Sequence, residues 1–339
     1  MKAAVFHGPM DIKIEEVDKP KMRDDRILVN VKACGICGSD LHMYKLDLFT
    51  NILCWRLDNG GIPGHEFSGE VVEVGSKVQD IHVGDRVAAM FLGGMAEYAL
   101  VPPLAGRTMA KLPPEVSYEE GATLEPLANS LHAALKGNPA KGENAMVFGA
   151  GIIGLGVIQC LKALDVGLNK IIAVDVSDLR LEAAKRIGAD EIINAAVDDS
   201  YEKVMEMVGS APLMFQPKQV TPAVDIVYDC VGYIKDRPEP LVIQKAMQMS
   251  REITGRIVVH GIFEENVTLD LEPMVLKQVD ILGSFGFFPP DVEQSLELIR
   301  TKKVDRLGLI SHSYTLDRTK EAFDKQSKVE ESVKVLVKP

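Results

Sequence analysis

The stretch of sequence that decides the fold runs from residue 145 to residue 164 and reads AMVFGAGIIGLGVIQCLKAL. Its glycines Gly149, Gly151 and Gly154 form the pattern G-x-G-x-x-G, which follows an apolar strand-like run and opens a helical one. This context is what the dinucleotide-binding form of the motif requires. The glycines allow a tight turn, a close approach to a pyrophosphate and close packing of helix on strand. The stretch therefore predicts a dinucleotide whose phosphates lie at a helix N-terminus.

Residues around and after the glycines indicate which dinucleotide is bound. Ile153, inside the motif, is expected to contact the cofactor together with the glycines. Asp175 ends the next apolar run, about 20 residues beyond the motif, where a carboxylate accepts a hydrogen bond from a ribose 2′-hydroxyl and repels a 2′-phosphate. Arg180 is close enough to reach the adenosine end. The alternatives are that Asp175 only caps a turn and that Arg180 is only solvated. The sequence favours NAD over NADP.

The spacing of apolar runs changes near residue 120. Before it, short strand-like runs such as 27–33, 69–74 and 85–90 are separated by Gly, Pro and Asp. After it, strand-like runs alternate with helical ones, which predicts a parallel sheet covered by helices on both faces. Two stretches, Lys45–Gly61 and Gly209–Pro222, are expected to be irregular surface insertions, the second because it holds three prolines and little periodicity.

Composition limits the class of protein. The 339 residues predict two domains, and 46% apolar with 26% charged residues is typical of a soluble globular chain. The net charge of -11 argues against nucleic acid as a partner, because phosphate binding needs an excess of Lys and Arg. No apolar run approaches the roughly 18 residues of a membrane span, and the N-terminus lacks the apolar stretch of a signal peptide. We therefore expect a cytoplasmic protein with no membrane partner.

The pair Cys34 and Cys37 has the spacing C-x-x-C and permits three interpretations. A thioredoxin-like redox pair would open a helix in a βαβ unit, whereas this pair follows a strand in a β-rich region. A structural zinc site would need a second pair, and the remaining cysteines (Cys54, Cys160 and Cys230) form none. The third interpretation uses one cysteine as a thiolate ligand of a catalytic metal.

A second short motif supports the metal interpretation. His65 and Glu66 are adjacent and flanked by glycines just before a strand-like run. Zinc accepts such mixed sulfur, nitrogen and oxygen ligands, and catalytic zinc sites keep one position open. Spacing alone does not show that these residues meet Cys37. The alternative is a buried His–Glu pair that serves only the fold.

Taken together, these residues resemble the zinc-dependent medium-chain dehydrogenase/reductase family, and most closely its polyol and threonine dehydrogenases. The resemblance covers essentially the whole chain. It rests on the following segments: 33–42 and 64–69 for the metal, Gly84–Val87, Ala96–Tyr98, Glu125–Ala128, the glycine motif, Asp175 and the closing Lys334–Val337. It implies an α/β protein with a GroES-like β-rich catalytic domain (1–125 and 282–339) and an inserted Rossmann domain, a doubly wound parallel sheet (126–281).

The resemblance also implies roles for individual residues. Cys37 and His65 become zinc ligands, and Glu66 and Glu125 share the carboxylate position, one binding directly while the other acts through water or in exchange. For Glu125, a simple charge at a helix N-terminus is the alternative. Asp40 would orient His65. Ser39 would accept the substrate proton and His42 would carry it to solvent, unless His42 is only a surface histidine.

The sequence departs from the family in one respect. Relatives with a structural zinc carry four closely spaced cysteines after the landmark that ends here at Val87, and this chain has no cysteine between Cys54 and Cys160. We therefore expect one catalytic zinc per chain and no structural zinc. In such relatives the segment that holds the four cysteines lies near subunit contacts, so its absence here puts the family's usual arrangement of subunits in doubt. A homodimer or homotetramer remains the expectation.

The expected function is oxidation of a secondary alcohol or polyol to the ketone by NAD at a single zinc. Alternatives are a dehydrogenase of a 3-hydroxy amino acid such as threonine, a zinc-free NAD(P)H reductase of the same superfamily, and a non-catalytic NAD-binding protein. The segment Leu46–Leu57 and the neighbourhood of Phe285–Phe288 are expected to shape the substrate pocket, although their side chains do not identify a substrate.

Overall fold

The computed structural model describes residues 1–46, 61–214, 216–235 and 241–339. Within them the strands are β1 (Lys2–Gly8), β2 (Asp11–Glu16), β3 (Ile27–Gly35), β4 (Glu66–Val74), β5 (Arg86–Ala89), β6 (Tyr98–Val101), β7 (Met109–Lys111), β8 (Asn144–Phe148), β9 (Lys170–Asp175), β10 (Glu191–Asn194), β11 (Ser210–Pro212), β12 (Val220–Pro222), β13 (Ile226–Asp229), β14 (Arg256–Val259), β15 (Asp280–Gly283), β16 (Ile310–Thr315) and β17 (Lys334–Lys338).

The helices within the same residues are α1 (Gly38–Leu46), α2 (Tyr118–Gly121), α3 (Leu124–Lys136), α4 (Ile152–Leu164), α5 (Asp178–Arg186), α6 (Ser200–Val208), α7 (Val242–Met249), α8 (Glu272–Lys277), α9 (Pro289–Arg300) and α10 (Thr319–Gln326). Two short 3-10 helices flank β16, at Leu307–Leu309 and Leu316–Arg318. None of the described helices is both long enough and apolar enough to cross a bilayer.

The chain divides into two compact units, Met1–Ala128 with Phe287–Pro339, and Asn129–Gly286. The domain boundaries expected from the sequence, after residues 125 and 281, stay a prediction. The first unit is built on a sheet with the strand order β16-β17-β3-β4-β5-β7, in which β6 also pairs with β3. The last strand therefore lies beside one of the first. This return brings residues near position 334 next to the segment that follows β3.

Burial on both faces fixes the centre of the first sheet. In β17, Val335, Leu336 and Val337 are all fully buried, and so is most of β3. Strand β3 runs antiparallel to β4, and its last residue, Gly35, lies opposite the first residue of β4, Glu66. Because antiparallel neighbours are only about 5 Å apart, the end of β3 and the start of β4 must share one small volume.

The second unit is a six-stranded parallel sheet with the order β10-β9-β8-β13-β14-β15. Its first strand, β8, lies inside the sheet between β9 and β13, so the chain winds outward in both directions, as in doubly wound dinucleotide-binding sheets. Every residue of β8 is buried, which explains why its sequence is continuously apolar apart from Asn144. The expected fold class is confirmed.

One of the two expected irregular insertions is more ordered than the sequence indicated. Within Gly209–Pro222, strands β11 and β12 pair antiparallel, so the expectation of an irregular loop was wrong. The prolines do not prevent this, because Pro212 and Pro222 each end a strand of a separate two-stranded ribbon, where a missing N–H costs little. Of the other insertion, Lys45–Gly61, residues 47–60 lie outside the described residues.

Candidate metal centre and dinucleotide site

Three side chains in the first unit form a group suited to a metal ion. One ligand atom from each of Cys37, His65 and Glu66 lies within 4.8 Å of the other two. The residues are buried or half-buried, and Oε1 of Glu66 is buried with no hydrogen-bond partner among the described residues. A buried oxygen without a partner is costly unless a cation or donor satisfies it. A thiolate, an imidazole and a carboxylate are the donors that a catalytic zinc uses, so this set fits zinc.

Strand pairing explains how residues from two distant motifs meet. Cys37 lies between the end of β3 and the start of α1, and His65 and Glu66 lie at the start of β4. Since Gly35 and Glu66 are register partners, the turn after β3 is held against the beginning of β4. The two motifs that the sequence analysis treated separately therefore form one site.

Asp40 holds both motifs from a single buried position. Its Oδ2 accepts a hydrogen bond from the backbone N–H of Cys37 at 2.8 Å, and its Oδ1 accepts one from Gly64 at 3.4 Å. Oδ1 also lies 3.8 Å from Nδ1 of His65. A carboxylate that accepts a hydrogen bond from the far nitrogen of a metal-binding imidazole fixes the ring and its tautomer, and Asp40 lies near that position but beyond hydrogen-bond distance of Nδ1. The placement agrees with the role that the resemblance implied for Asp40.

Several acidic groups lie close together at this site. Burial raises the pKa of the Cys37 thiol, and the charge of Glu66 raises it further. Burial alone would lower the pKa of His65, but the charges of Cys37, Asp40 and Glu125 hold that pKa well above its ordinary value. The imidazole therefore favours its cationic form when the thiol and the carboxylates beside it are ionised. A divalent cation would supply the same compensation and displace the protons.

Glu125 lies near this group without completing it. It occupies the first turn of α3, and its charge acts on both Cys37 and His65. The mutually close group among the described residues nevertheless consists of Cys37, His65 and Glu66. Of the two carboxylates left open by the sequence, Glu66 belongs to this group, and which of them binds the ion directly stays a prediction.

The two expected proton-relay residues are on α1, directly after Cys37. Ser39 and His42 are both half-buried. They are three residues apart, which puts them on neighbouring positions of one helix face. This arrangement is compatible with transfer of a proton from one to the other.

A further residue of the site, Lys334, was missed as a functional residue and noted only as a landmark. Its ammonium is fully buried, forms an ion pair with Oε2 of Glu66 and donates a hydrogen bond to the carbonyl of Ile36 at 2.9 Å. Burial alone would lower the pKa of Lys334, but the charges of Glu66 and Cys37 raise it. The only sequence signal was a lysine directly before the apolar run Val335–Val337.

The glycine motif in the second unit has the expected geometry. Gly149 follows β8 with a φ of 86°, a left-handed conformation that favours glycine. A Cβ on Gly154 would lie 1.8 Å from the carbonyl oxygen of Gly149, so any side chain there is excluded. Gly151 is the N-cap residue of α4 and faces open space except for the guanidinium of Arg180, 3.9 Å from where its Cβ would be. The first turn of α4, with Ile153, therefore presents backbone N–H groups.

Asp175 accepts hydrogen bonds from the turns around it. Its Oδ2 accepts a hydrogen bond from the N–H of Ala150, inside the glycine motif, at 2.6 Å. Its Oδ1 accepts hydrogen bonds from Val176 at 2.8 Å and Ser177 at 2.9 Å. A carboxylate offers about four acceptor positions, so one remains for a ribose hydroxyl. The turn-capping interpretation and the cofactor interpretation are therefore compatible.

Two family models match the chain, and between them they match part of each unit. Residues 23–114 match the alcohol dehydrogenase GroES-like domain, and residues 153–301 match the zinc-binding dehydrogenase domain. The chain is also 34% identical to (R,R)-butanediol dehydrogenase of Bacillus subtilis over 100% of both sequences. The chain belongs to the zinc-dependent medium-chain dehydrogenases. Sorbitol dehydrogenase of Bacillus subtilis is 30% identical to this dehydrogenase, covering 100% of this chain and 97% of that sequence.

The known structures agree with this membership. The crystal structure of 2R,3R-butanediol dehydrogenase from Bacillus subtilis superposes on this dehydrogenase with a TM-score of 0.82 at 32% identity, covering 100% of this chain and 99% of the other. A third relative is L-idonate 5-dehydrogenase of Vitis vinifera, which is 32% identical over 98% of this chain and 93% of that sequence. This dehydrogenase is therefore an oxidoreductase acting on an alcohol carbon, with zinc and NAD as its cofactors.

The residues expected to shape the substrate pocket are only partly described. From residue 47 onward, the segment Leu46–Leu57 lies outside the described residues. Phe285 and Phe288 are 82% and 64% exposed. The expectation that both segments line the pocket stays a prediction.

Proposed function

We propose that this dehydrogenase oxidises a secondary hydroxyl of a diol or sugar alcohol to the ketone at one zinc held by Cys37, His65 and Glu66. The observation that supports this assignment is the mutual approach of the three ligand atoms within 4.8 Å. When bound there, zinc is a Lewis acid that lowers the pKa of an alcohol hydroxyl and stabilises charge on its oxygen. NAD, when bound, would supply the acceptor for the carbon-bound hydrogen, which leaves as hydride.

Side chains of the protein accept the proton of the substrate hydroxyl and transfer it to solvent. Ser39 accepts the hydroxyl proton, and His42 carries it to solvent, because an imidazole titrates near neutral pH. Asp40 keeps His65 and the Cys37 turn in place throughout, since it binds backbone N–H groups on both sides of the site. Glu125, which lies near Cys37 and His65, acts through solvent or in exchange with Glu66.

For the cofactor, we propose that the motif glycines Gly149, Gly151 and Gly154, together with Ile153, bind the pyrophosphate through backbone N–H groups and close packing. The carboxylate of Asp175 accepts a hydrogen bond from the ribose 2′-hydroxyl, and its negative charge repels a 2′-phosphate. Arg180 contributes a positive charge beside the glycine turn, which its position 3.9 Å from the ideal Cβ site of Gly151 supports.

The relatives support the substrate class. They include a butanediol, a sorbitol and an idonate dehydrogenase, and each of these named compounds carries more than one hydroxyl group. A 3-hydroxy amino acid remains the second candidate, because the family resemblance extends to threonine dehydrogenases. Reduction of an activated double bond without zinc is disfavoured by the three-ligand group.

An NAD-reduction screen tests this function. Purified protein with measured zinc content is assayed with vicinal diols, sugar alcohols, inositols and L-threonine, and with NAD(P)H and activated alkenes. We expect turnover of diols or sugar alcohols that scales with zinc content. Turnover of threonine alone would contradict the substrate class, and alkene reduction by zinc-free protein would contradict the proposed metal chemistry.

Replacing Ser39 by alanine is expected to reduce kcat by about 100-fold, within the range that one proton-transfer group contributes. NAD affinity should change less than about 2-fold, because Ser39 belongs to the metal-binding unit and not to the glycine motif. Steady-state kinetics and NAD titration measure the two effects separately. Equal losses in turnover and NAD affinity would contradict the relay.

We also propose that the dehydrogenase forms a homodimer or homotetramer. Strand β15 is an edge of the parallel sheet, and apolar side chains near it are exposed, including Val275 at 65% and Phe285 at 82%. An open edge flanked by apolar residues is suited to pairing with a second copy. Light scattering should give the mass of two or four chains, and the mass of one chain would contradict the proposal.

A further inference from the structure

Lys334 is unusual among the charged residues of the described chain because both it and its partner are completely buried. The ammonium of Lys334 and the carboxylate of Glu66 each have 0% side-chain exposure. Removing two charges from water is costly, and well-packed apolar residues often replace such pairs without loss of stability. Stability alone is therefore a poor explanation for this pair.

The contacts of Lys334 divide the two oxygens of Glu66. Its ammonium binds Oε2, while Oε1 is buried and has no hydrogen-bond partner in the described chain. Glu66 also belongs to the group whose ligand atoms lie within 4.8 Å of one another. Oε2 is thus paired with the ammonium of Lys334, and Oε1 is left for a cation that the protein does not itself supply.

The same ammonium also reaches the cysteine turn. It donates to the carbonyl of Ile36 at 2.9 Å, and Ile36 is the residue before Cys37. In addition, the N–H of Ile36 donates to the carbonyl of Val335 at 3.1 Å. Strand β17 therefore holds the backbone that presents the thiol and the side chain that presents the carboxylate.

Gly35 provides the space in which the pair lies. A Cβ at this position would be 2.7 Å from Oε2 of Glu66, 2.7 Å from Cε of Lys334 and 2.9 Å from its Nζ. Carbon atoms do not approach oxygen or carbon so closely without displacing them. The glycine between Cys34 and Ile36 is therefore required by the ion pair beside it.

We propose that Lys334 is a positioning residue of the metal centre: it holds Oε2 of Glu66 and the carbonyl of Ile36, so that Oε1 alone binds the metal. This inference rests on the zinc site proposed above. Without the ammonium, the carboxylate would either turn both oxygens to the ion or move away from it. Residues that orient a metal ligand from behind affect affinity by about 10- to 100-fold when they are replaced.

The test compares three variants with the wild type. Lys334→Met removes the ammonium, and Gly35→Ala keeps every donor but forces a methyl group against the pair. The control is Lys277→Met, which removes another buried lysine whose ammonium binds Thr221 and the carbonyls of Gln248 and Ser250 in the other unit. Zinc affinity is measured by competition with a chromogenic chelator, and the ligand field by the visible spectrum of the cobalt-substituted protein.

We expect Lys334→Met and Gly35→Ala each to weaken zinc binding about 10- to 100-fold and to alter the cobalt spectrum. Lys277→Met should lose stability while keeping wild-type affinity and spectrum. Wild-type affinity and spectrum in the folded Lys334→Met or Gly35→Ala variant would overturn the inference while leaving the zinc site intact. A wild type that binds no zinc would overturn both.

If one of the two variants does not fold, the other carries the test. If neither folds, a crystal structure of the cobalt-loaded wild type decides the matter without any substitution. Metal on Oε1 with the ammonium on Oε2 supports the proposal. Metal on both oxygens, or on Oε2, contradicts it.

Discussion

Replacing Cys37 by serine is expected to reduce kcat/KM by about 1,000-fold and to lower the zinc content of the purified protein. A serine hydroxyl is a much poorer zinc ligand than a thiolate, and loss of the metal removes several kcal/mol of charge stabilisation in the transition state, where about 4 kcal/mol corresponds to a factor of 1,000. The fold should survive, because a catalytic zinc is not the main source of stability. Kinetics, metal analysis and circular dichroism on one preparation measure all three effects.

The matched control is Cys160→Ser, which makes the same chemical change at a buried position of α4. This variant should keep its zinc and its turnover and lose only stability, since it places a hydroxyl in an apolar environment. Equal activity in the two variants would show that the Cys37 thiol is not a ligand of the catalytic ion.

Replacing Gly154 by alanine is expected to lower the free energy of unfolding by about 3 kcal/mol or more, or to prevent folding of the dinucleotide-binding unit. The added Cβ would lie 1.8 Å from the carbonyl oxygen of Gly149 and 3.0 Å from its carbonyl carbon. These are backbone atoms in the turn between β8 and α4, so no side chain can move aside to make room. Denaturant unfolding, followed by circular dichroism, measures the loss.

Gly8→Ala, at the end of β1 in the other unit, is the control. A Cβ at Gly8 meets nothing within 4 Å, and the residue is not in the left-handed region. Its substitution should leave stability unchanged within about 0.5 kcal/mol, or raise it slightly through the entropy of the unfolded chain. Equal stability in the two variants would contradict the close packing of α4 on β8.

Much of the second unit could be predicted from sequence because its central strands β8, β9 and β13 are buried on both faces. The run 145–148 and the glycines that follow it are continuous in sequence, so a local pattern was enough to identify the turn, the helix and the carboxylate at Asp175. The pattern did not reveal that Asp175 also accepts hydrogen bonds from three backbone N–H groups. One of these belongs to Ala150, which is 25 residues away.

The metal centre was harder to predict because it depends on strand register. Nothing in the spacing of Cys37 and His65 requires them to meet; the pairing of Gly35 with Glu66 brings them together. Lys334 is still more remote, 268 residues from its partner Glu66, and it reaches the site because β17 returns to pair with β3. The expectation of an irregular loop at Gly209–Pro222 was wrong for a different reason: in the sequence, prolines at strand ends cannot be distinguished from prolines in a loop.

The most direct test of the account is to locate zinc in crystals of the active wild-type protein by anomalous diffraction at the zinc absorption edge. We expect one strong peak per chain, within bonding distance of the Cys37 sulfur, a ring nitrogen of His65 and a carboxylate oxygen of Glu66. A zinc-replete, active crystal with its peak elsewhere, or with the Cys37 sulfur outside the coordination shell, would contradict it.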